Sequence, residues 1–283
     1  MAKGNLLLGT AGNSVGDVVM YRREGAQVSR VRVRKIKNPK TDAQSLQRAA
    51  FSPVAKFYSP LAVVLERSFE GLSKMKSYNK FLKTNIDLAR ANGWLLPKGT
   101  GFFPLPYKLS QGSLPSIQLE YSGATNGFFI PWADVDASPT TIGDLSAHFV
   151  ANGYRNGDVV TIILVTGLAN EPHVPISAQF IIDTTSTDTI ASTLKGILIT
   201  KGASGVDGLV FNVTGGTGSG CAIIVSRFEN EKWRRSTQTL VVIPAIMTAI
   251  AAADYKAAAI ASYGMNAGDP NPLVYLDGDT LEG

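Results

Sequence analysis

Polar and apolar positions alternate most clearly near the start of the chain. Residues 18–23, VVMYRR, and residues 27–36, QVSRVRVRKI, are β-prone runs, and Glu24-Gly25-Ala26 between them predicts a hairpin turn. In the second strand Val28, Arg30, Arg32, Arg34 and Ile36 fall on one face and Val31 and Val33 on the other. Ahead of the hairpin, GNLLLGTAGNSVGD has four glycines and reads as a turn-rich lead. Behind it, Pro39 holds Asn38 away from helical angles. Thr41 fits an N-cap with Gln44 as its reciprocal partner, which predicts a helix from Asp42 to about Phe51 that Pro53 restarts or kinks. Val54, Phe57, Tyr58, Leu61, Val64, Leu65 and Phe69 then recur at helical spacing, with Pro60 bending the run. A third helix is expected over Tyr78–Ala91, burying Phe81, Leu82, Ile86 and Ala89 and stopped by Gly93.

The texture changes after WLLPKGTGFFPLPYK, which reads as a linker. Short apolar runs separated by Gly, Asn and Asp predict strands over Ser116–Tyr121, Gly127–Trp132, Val159–Thr166, Ile176–Asp183, Leu209–Val213, Ala222–Phe228 and Gln238–Ile243. One helix interrupts them, capped by Thr141 and Asp144, with Leu145, Phe149 and Val150 as its stripe and Gly153 as its stop; Thr189–Lys195 is a short helical piece. Ala245–Ser262 is an Ala-rich helix whose smooth face suits a close assembly contact. The expected fold class is α+β: a basic β-hairpin with helices over 1–98, a linker over 99–108, an antiparallel β-sandwich-like domain over 109–243, and an Ala-rich helix with an acidic tail over 244–283.

Charge sharpens this division. The 283 residues carry a formal net charge of +5. Residues 1–98 hold 18 Lys or Arg against 6 acids, and residues 99–283 hold 9 against 16. Such opposed halves suit attraction to nucleic acid, or to the acidic half of a neighbouring copy. The basic charge concentrates in Arg22, Arg23, Arg30, Arg32, Arg34, Lys35, Lys37, Lys40 and Arg48, which are the candidate residues for binding nucleic acid or an acidic partner. Three guanidiniums two residues apart repel each other unless anions meet them. The tail, AGDPNPLVYLDGDTLEG, has four acids and no base, and is an electrostatic mate for the basic half of another subunit.

Little else suggests chemistry. His148 and His173 have no triad or metal trio around them in the sequence, and the single cysteine, Cys221, leaves no internal disulfide and no Cys-rich zinc site. Gly215–Cys221 lacks the Lys-Ser/Thr of a phosphate loop and reads as a flexible hairpin turn, with Cys221 a small buried residue. Asp134 and Asp136 flank Val135; paired acids can bind calcium or do acid–base work, but two acids alone are weak evidence of either. Glu229, Glu231, Arg234 and Arg235 read as a charged hairpin turn around Trp233; Trp132 and Trp233 read as core packing, with a carbohydrate-binding role as the alternative. The uncharged run Ser236–Ala253 reads as a buried strand followed by a helix rather than a membrane span, and Leu6-Leu7-Leu8 is too short for a secretory signal. No catalytic residue, cofactor or metal is expected.

Gly16-Asp17-Val18-Val19, the segment Lys37-Asn38-Pro39-Lys40-Thr41-Asp42-Ala43-Gln44 and Gln47-Arg48 resemble a family of uncharacterised proteins from Bacteroidetes and their phages. KLSQGSLPS (Lys108–Ser116) is similar to an element that opens that family's β-rich part, and FENEKWRRSTQTL (Phe228–Leu240) is similar to its late strand pair. The Ala-rich helix and acidic tail depart from the family pattern. The resemblance implies a helical and β-rich architecture in a phage or mobile-element setting, and it carries over no established activity. The expectation is therefore a non-enzymatic structural protein of a phage virion. It would sit in the virion or the host cytoplasm, bind itself, other virion proteins or DNA, and not a membrane. A phosphate-backbone-binding protein is the alternative, and a carbohydrate-binding β domain a weaker one.

Overall fold

The computed structural model describes residues 3–5, 10–15, 17–23, 26–32, 41–98, 101–102, 104–123, 127–167, 173–202, 206–213, 218–252 and 255–263. The chain forms two compact units, Met1–Lys40 with Gly268–Gly283, and Thr41–Ala267.

In the first unit β1 (Lys3–Asn5), β2 (Thr10–Val15), β3 (Val18–Arg23) and β4 (Ala26–Val31) pair in chain order as an antiparallel meander. The expected hairpin is β3–β4, with Val18 opposite Val31 and Arg23 opposite Ala26. The Gly-rich lead is not merely turns. It supplies two of the four strands, because glycine's missing side chain does not prevent backbone pairing once a β-prone neighbour such as β3 offers an edge.

The second unit opens with α1 (Asp42–Leu61) and α2 (Lys74–Ala91). Thr41 caps α1 by accepting from the Gln44 N–H at 3.4 Å, but the Gln44 side-chain oxygen finds no partner, so the capping box is only half made. Pro53 neither restarts nor kinks the chain into a second helix; α1 runs through it to Leu61. A mid-helix proline costs about 3 kcal/mol. Here Ala49, Ala50, Val54, Phe57, Tyr58 and Leu61 are buried around it, and their burial offsets that cost. Residues 62–67 are turns, so the apolar run to Phe69 is not helical throughout. α2 begins four residues before its expected start, and Gly93, at φ +68, follows its C-cap Asn92 as expected.

The β-rich part contains β5 (Lys108–Ser110), β6 (Glu120–Ser122), β7 (Gly127–Ile130), α3 (Ile142–Ala151), β8 (Val159–Thr166), β9 (Val174–Ile181), α4 (Ile190–Thr193), β10 (Ile197–Lys201), β11 (Leu209–Val213), β12 (Gly218–Glu229), β13 (Lys232–Arg235), β14 (Gln238–Thr239) and β15 (Val241–Val242). One antiparallel sheet has the order β10-β11-β7-β6 and another β13-β12-β8-β9, with β15 also on β12. The fold is α+β. The apolar runs of β8 and β12 are central strands buried on both faces. α3 carries the complete capping box of Thr141 and Asp144. Its stripe is Leu145 and Phe149, whereas Val150 is exposed. The chain ends its described part in α5 (Pro244–Ala252) and α6 (Tyr255–Tyr263).

The compact units divide between Lys40 and Thr41 rather than near residue 98, so α1 and α2 share a core with the β-rich part. Residues 94–108 bury Leu95, Leu96, Phe102, Leu105 and Tyr107, which makes this stretch part of the core and not a spacer. Tyr107 is fully buried and stacks on Phe57 at 4.1 Å between centroids. Phe102 meets Phe57 edge-on at 5.2 Å. α6 lies against α1 of the same chain, with Ala259 fully buried and the Lys98 N–H donating to Ser262 Oγ at 2.9 Å, while Ala257, Ala258 and Ala261 are exposed.

Phe57→Ala should lower stability by about 3–5 kcal/mol, read as a fall in urea midpoint at unchanged slope. The β12–β13 turn has Asn230 at φ +52 and Glu231 at φ +59, a two-residue turn that favours glycine at its second position. Glu231→Gly should raise stability by roughly 0.5–1 kcal/mol, the left-handed strain relieved less the added chain entropy; thermal unfolding measures it.

Candidate functional site

In the first unit, the β3–β4 register sets Val19 opposite Arg30 and Tyr21 opposite Val28, so these four share a face. The Arg30 guanidinium lies 5.8 Å from the centre of the Tyr21 ring, a cation–π contact that holds it along the strand. Arg32 follows β4 directly, and its N–H donates to the Asp17 carbonyl. Arg30 and Arg32 are both exposed, as is Val31 at 72%. Across β3 and β4 every side chain described is exposed or only half-buried; none is buried.

The other predicted binding residues are distributed as follows. Arg22 and Arg23 belong to β3, and their side chains lie outside the described residues, as do Arg34, Lys35, Lys37 and Lys40 entirely. Arg48 is half-buried on α1, in the other compact unit, and so is not part of the strand ladder. β2, β3, β4, α1 and α2 all fall in one stretch of chain. Residues 9–94 match the model of a family of unknown function (DUF6266). The match spans both compact units and ends at the stop of α2. No curated protein and no solved structure matches the chain.

The polar residues singled out in the β-rich part are engaged in structure. His148 Nδ1 lies 3.5 Å from Asp134, which also accepts from Asn152 at 3.2 Å. Asp136 contributes its backbone carbonyl, not its carboxylate, to Lys201. Among the described residues no three His, Cys, Asp or Glu are grouped to hold a metal, and no helix is long and apolar enough to cross a membrane. Gly218 and Gly220 are not in a turn. They belong to β12, where a side chain at Gly220 would press on Leu240 and one at Gly218 on Phe128. Gly215–Thr217 lies outside the described residues. Ser219 is fully buried, 3.4 Å from His173 Nδ1, but its hydroxyl donates to the Val165 carbonyl, which leaves no proton for the imidazole to take. Cys221 is fully buried, and burial pushes its thiol well above the usual range, away from the reactive thiolate. Trp132 packs edge-on against Phe149, and Trp233 packs beside Phe228 with Arg235 over its ring.

A polar clasp escaped the sequence reading. The Glu70 carboxylate, in the turn after α1, accepts from the Ser113 N–H at 2.7 Å, the Ser113 hydroxyl at 3.0 Å and the Arg235 N–H at 3.2 Å. Arg235 extends Nη1 to Ser226 Oγ and Nη2 toward the Glu66 carbonyl, and burial lowers its pKa. Gly112 sits so close to the Arg235 carbonyl and Glu70 that no Cβ fits. The Ser-Gln-Gly-Ser-Leu segment thus joins the α1–α2 connection to β13. Nearby, Arg227 binds Asp158 through two bonds of 2.7 Å, with Asp158 almost fully buried. Partners up to 169 residues apart leave no local periodicity, so only the charge of Glu70 and the Gly112 position signalled the site. A separate groove of about 610 Å³ between α1 and α2 is lined by Tyr58, Val63, Glu66, Lys74, Met75 and Tyr78.

Burial alone would raise the Glu70 pKa, but the Ser113 and Arg235 N–H groups, the Ser113 hydroxyl and nearby Arg234 together lower it. A lowered folded-state value means that Glu70 stabilises the fold above its unfolded pKa and loses that contribution as pH falls through the folded one. Glu70→Gln should therefore cost about 1 kcal/mol at pH 7, solvent screening included. The gap from wild type should narrow at acid pH, as followed by urea unfolding at both values.

Proposed function

We propose that this chain is a non-enzymatic assembly protein, a component of a phage virion, whose basic N-terminal sheet binds the genome or an acidic partner. One observation carries the reading: Arg30 and Arg32 stand exposed at the outer strand of a meander in which no described side chain of β3 or β4 is buried. A sheet without a buried face gains little from folding alone, and a row of guanidiniums repels itself. An anionic surface relieves both. The segment that continues through Arg34, Lys35, Lys37 and Lys40 adds positive charge in sequence, with Arg22 and Arg23 on the neighbouring strand. The phage setting rests on the resemblance of the Asn-Pro-Lys-Thr segment and its surroundings, and the match over residues 9–94 to a family of unknown function supports a recurring module there. Phosphate-backbone binding is the second reading, favoured by the same two exposed arginines.

The test pairs DNA binding with molecular mass. Labelled random DNA, single- and double-stranded, is titrated with the wild type and with Arg30→Ala/Arg32→Ala/Arg34→Ala at 50 and 200 mM salt, and each protein is weighed by light scattering. Three phosphate contacts should weaken wild-type binding roughly 40-fold between the two salts. An acidic protein partner in a second copy should instead appear as an oligomer that the triple variant loses. A variant equal to the wild type in both affinity and mass refutes the reading.

A further inference from the structure

The partner can be named more closely from the edge of β4. The Arg32 N–H points back to Asp17, and hydrogen bonds in an antiparallel ladder alternate every second residue. Arg30 and Val28 therefore turn their peptide groups toward β3, while Ser29 and Val31 turn theirs outward. β4 is the last strand of its sheet, and among the described residues nothing pairs with Ser29 or Val31 on that side. An open strand edge accepts another strand. A second β4 is a poor candidate, since antiparallel pairing would bring arginine rows together.

The occupant needs carboxylates two residues apart, flanked by β-prone residues. The sequence holds such a stretch in Leu273-Val274-Tyr275-Leu276-Asp277-Gly278-Asp279-Thr280. Extended, it sets Asp277 and Asp279 on one side, at the spacing of Arg30 and Arg32. In antiparallel register Asp279 falls opposite Arg30 and Asp277 opposite Arg32. Thr280 and Gly278 then lie opposite Ser29 and Val31, whose outward groups they satisfy. The arginine pairs are the non-hydrogen-bonded ones on this edge, where side chains approach most closely. The described residues leave Ser29 and Val31 open on that side, and the opposite charges of the two segments suit an exchange between copies. We propose that the outer edge of β4 receives the acidic segment Leu273–Thr280 of a second copy as an added antiparallel strand. This rests on the assembly reading above and identifies its acidic partner. Donor and acceptor surfaces differ, so the contact runs head to tail and builds a ring or a filament.

A charge swap in the full chain tests it. Light scattering should give the wild type a mass that is a multiple of 30.1 kDa. Arg30→Glu/Arg32→Glu and Asp277→Lys/Asp279→Lys should each fall to the single-chain mass. An equimolar mixture of the two should regain the assembly, because each variant's edge then meets a complementary tail; recovery also shows that both variants fold. A monomeric wild type, an unchanged mass in either variant, or a mixture that stays monomeric overturns the proposal. If only the arginine variant loses mass or DNA binding, the assembly or phosphate reading survives and the tail is not the partner.

Discussion

The stack of Tyr107 on Phe57 is the contact on which the larger unit depends. It places a ring from the extended chain ahead of β5 directly on α1, and Phe81 of α2 joins the same cluster. Burial drives the pKa of the Tyr107 hydroxyl well above the usual range. Remove this layer and the helix pair has only its own narrow apolar stripes to hold it. The clasp at Glu70 and Arg235 then acts in the connection between the same two helices. Aromatic burial supplies the energy there, and the clasp supplies the register, since carboxylate and N–H groups tolerate far less displacement than rings do.

That layering explains why the charge boundary and the structural boundary do not coincide. The positive excess runs through residue 98, yet α1 and α2 are built into the β-rich unit by their apolar faces. Charge follows the solvent side of a helix, and packing follows the other side. Lysines 74, 76, 80 and 83 on α2 are exposed, while Phe81, Ile86 and Ala89 are buried on the same helix. A shift in net charge along a chain therefore marks surfaces, and the compact unit is set by where the apolar stripes go.

What could be read ahead of the structure follows the same rule. The apolar runs of β8 and β11 match the observed strands end to end, because central strands write their burial into consecutive residues. The Thr141–Asp144 capping box was legible because both halves lie within one turn. Pro53 misled because its local cost is overridden by burial that only the tertiary fold supplies. β10, spelled Ile-Leu-Ile-Thr-Lys after Gly196, has no clear signal in the sequence because five residues beside a short helix give weak periodicity. Of the candidate surface, the alternation of Arg30 and Arg32 is visible in the sequence; that they lie at an outer strand, beyond two strands made from the Gly-rich lead, is not.

An outer strand studded with arginines is ordinarily read as protection, since charge on an edge discourages pairing with another copy of itself. The same charges discriminate among strands rather than excluding all of them. Pairing with a basic or neutral strand leaves guanidiniums crowded together, and pairing with a strand that carries acids at matching two-residue spacing neutralises them. Coulomb attraction across one strand spacing is modest in water, but it acts in register, so a one-residue slip would move both carboxylates to the opposite face. An edge built this way would select for spacing as well as for sign, and the described side chains of β3 and β4, none of them buried, would gain from such a partner.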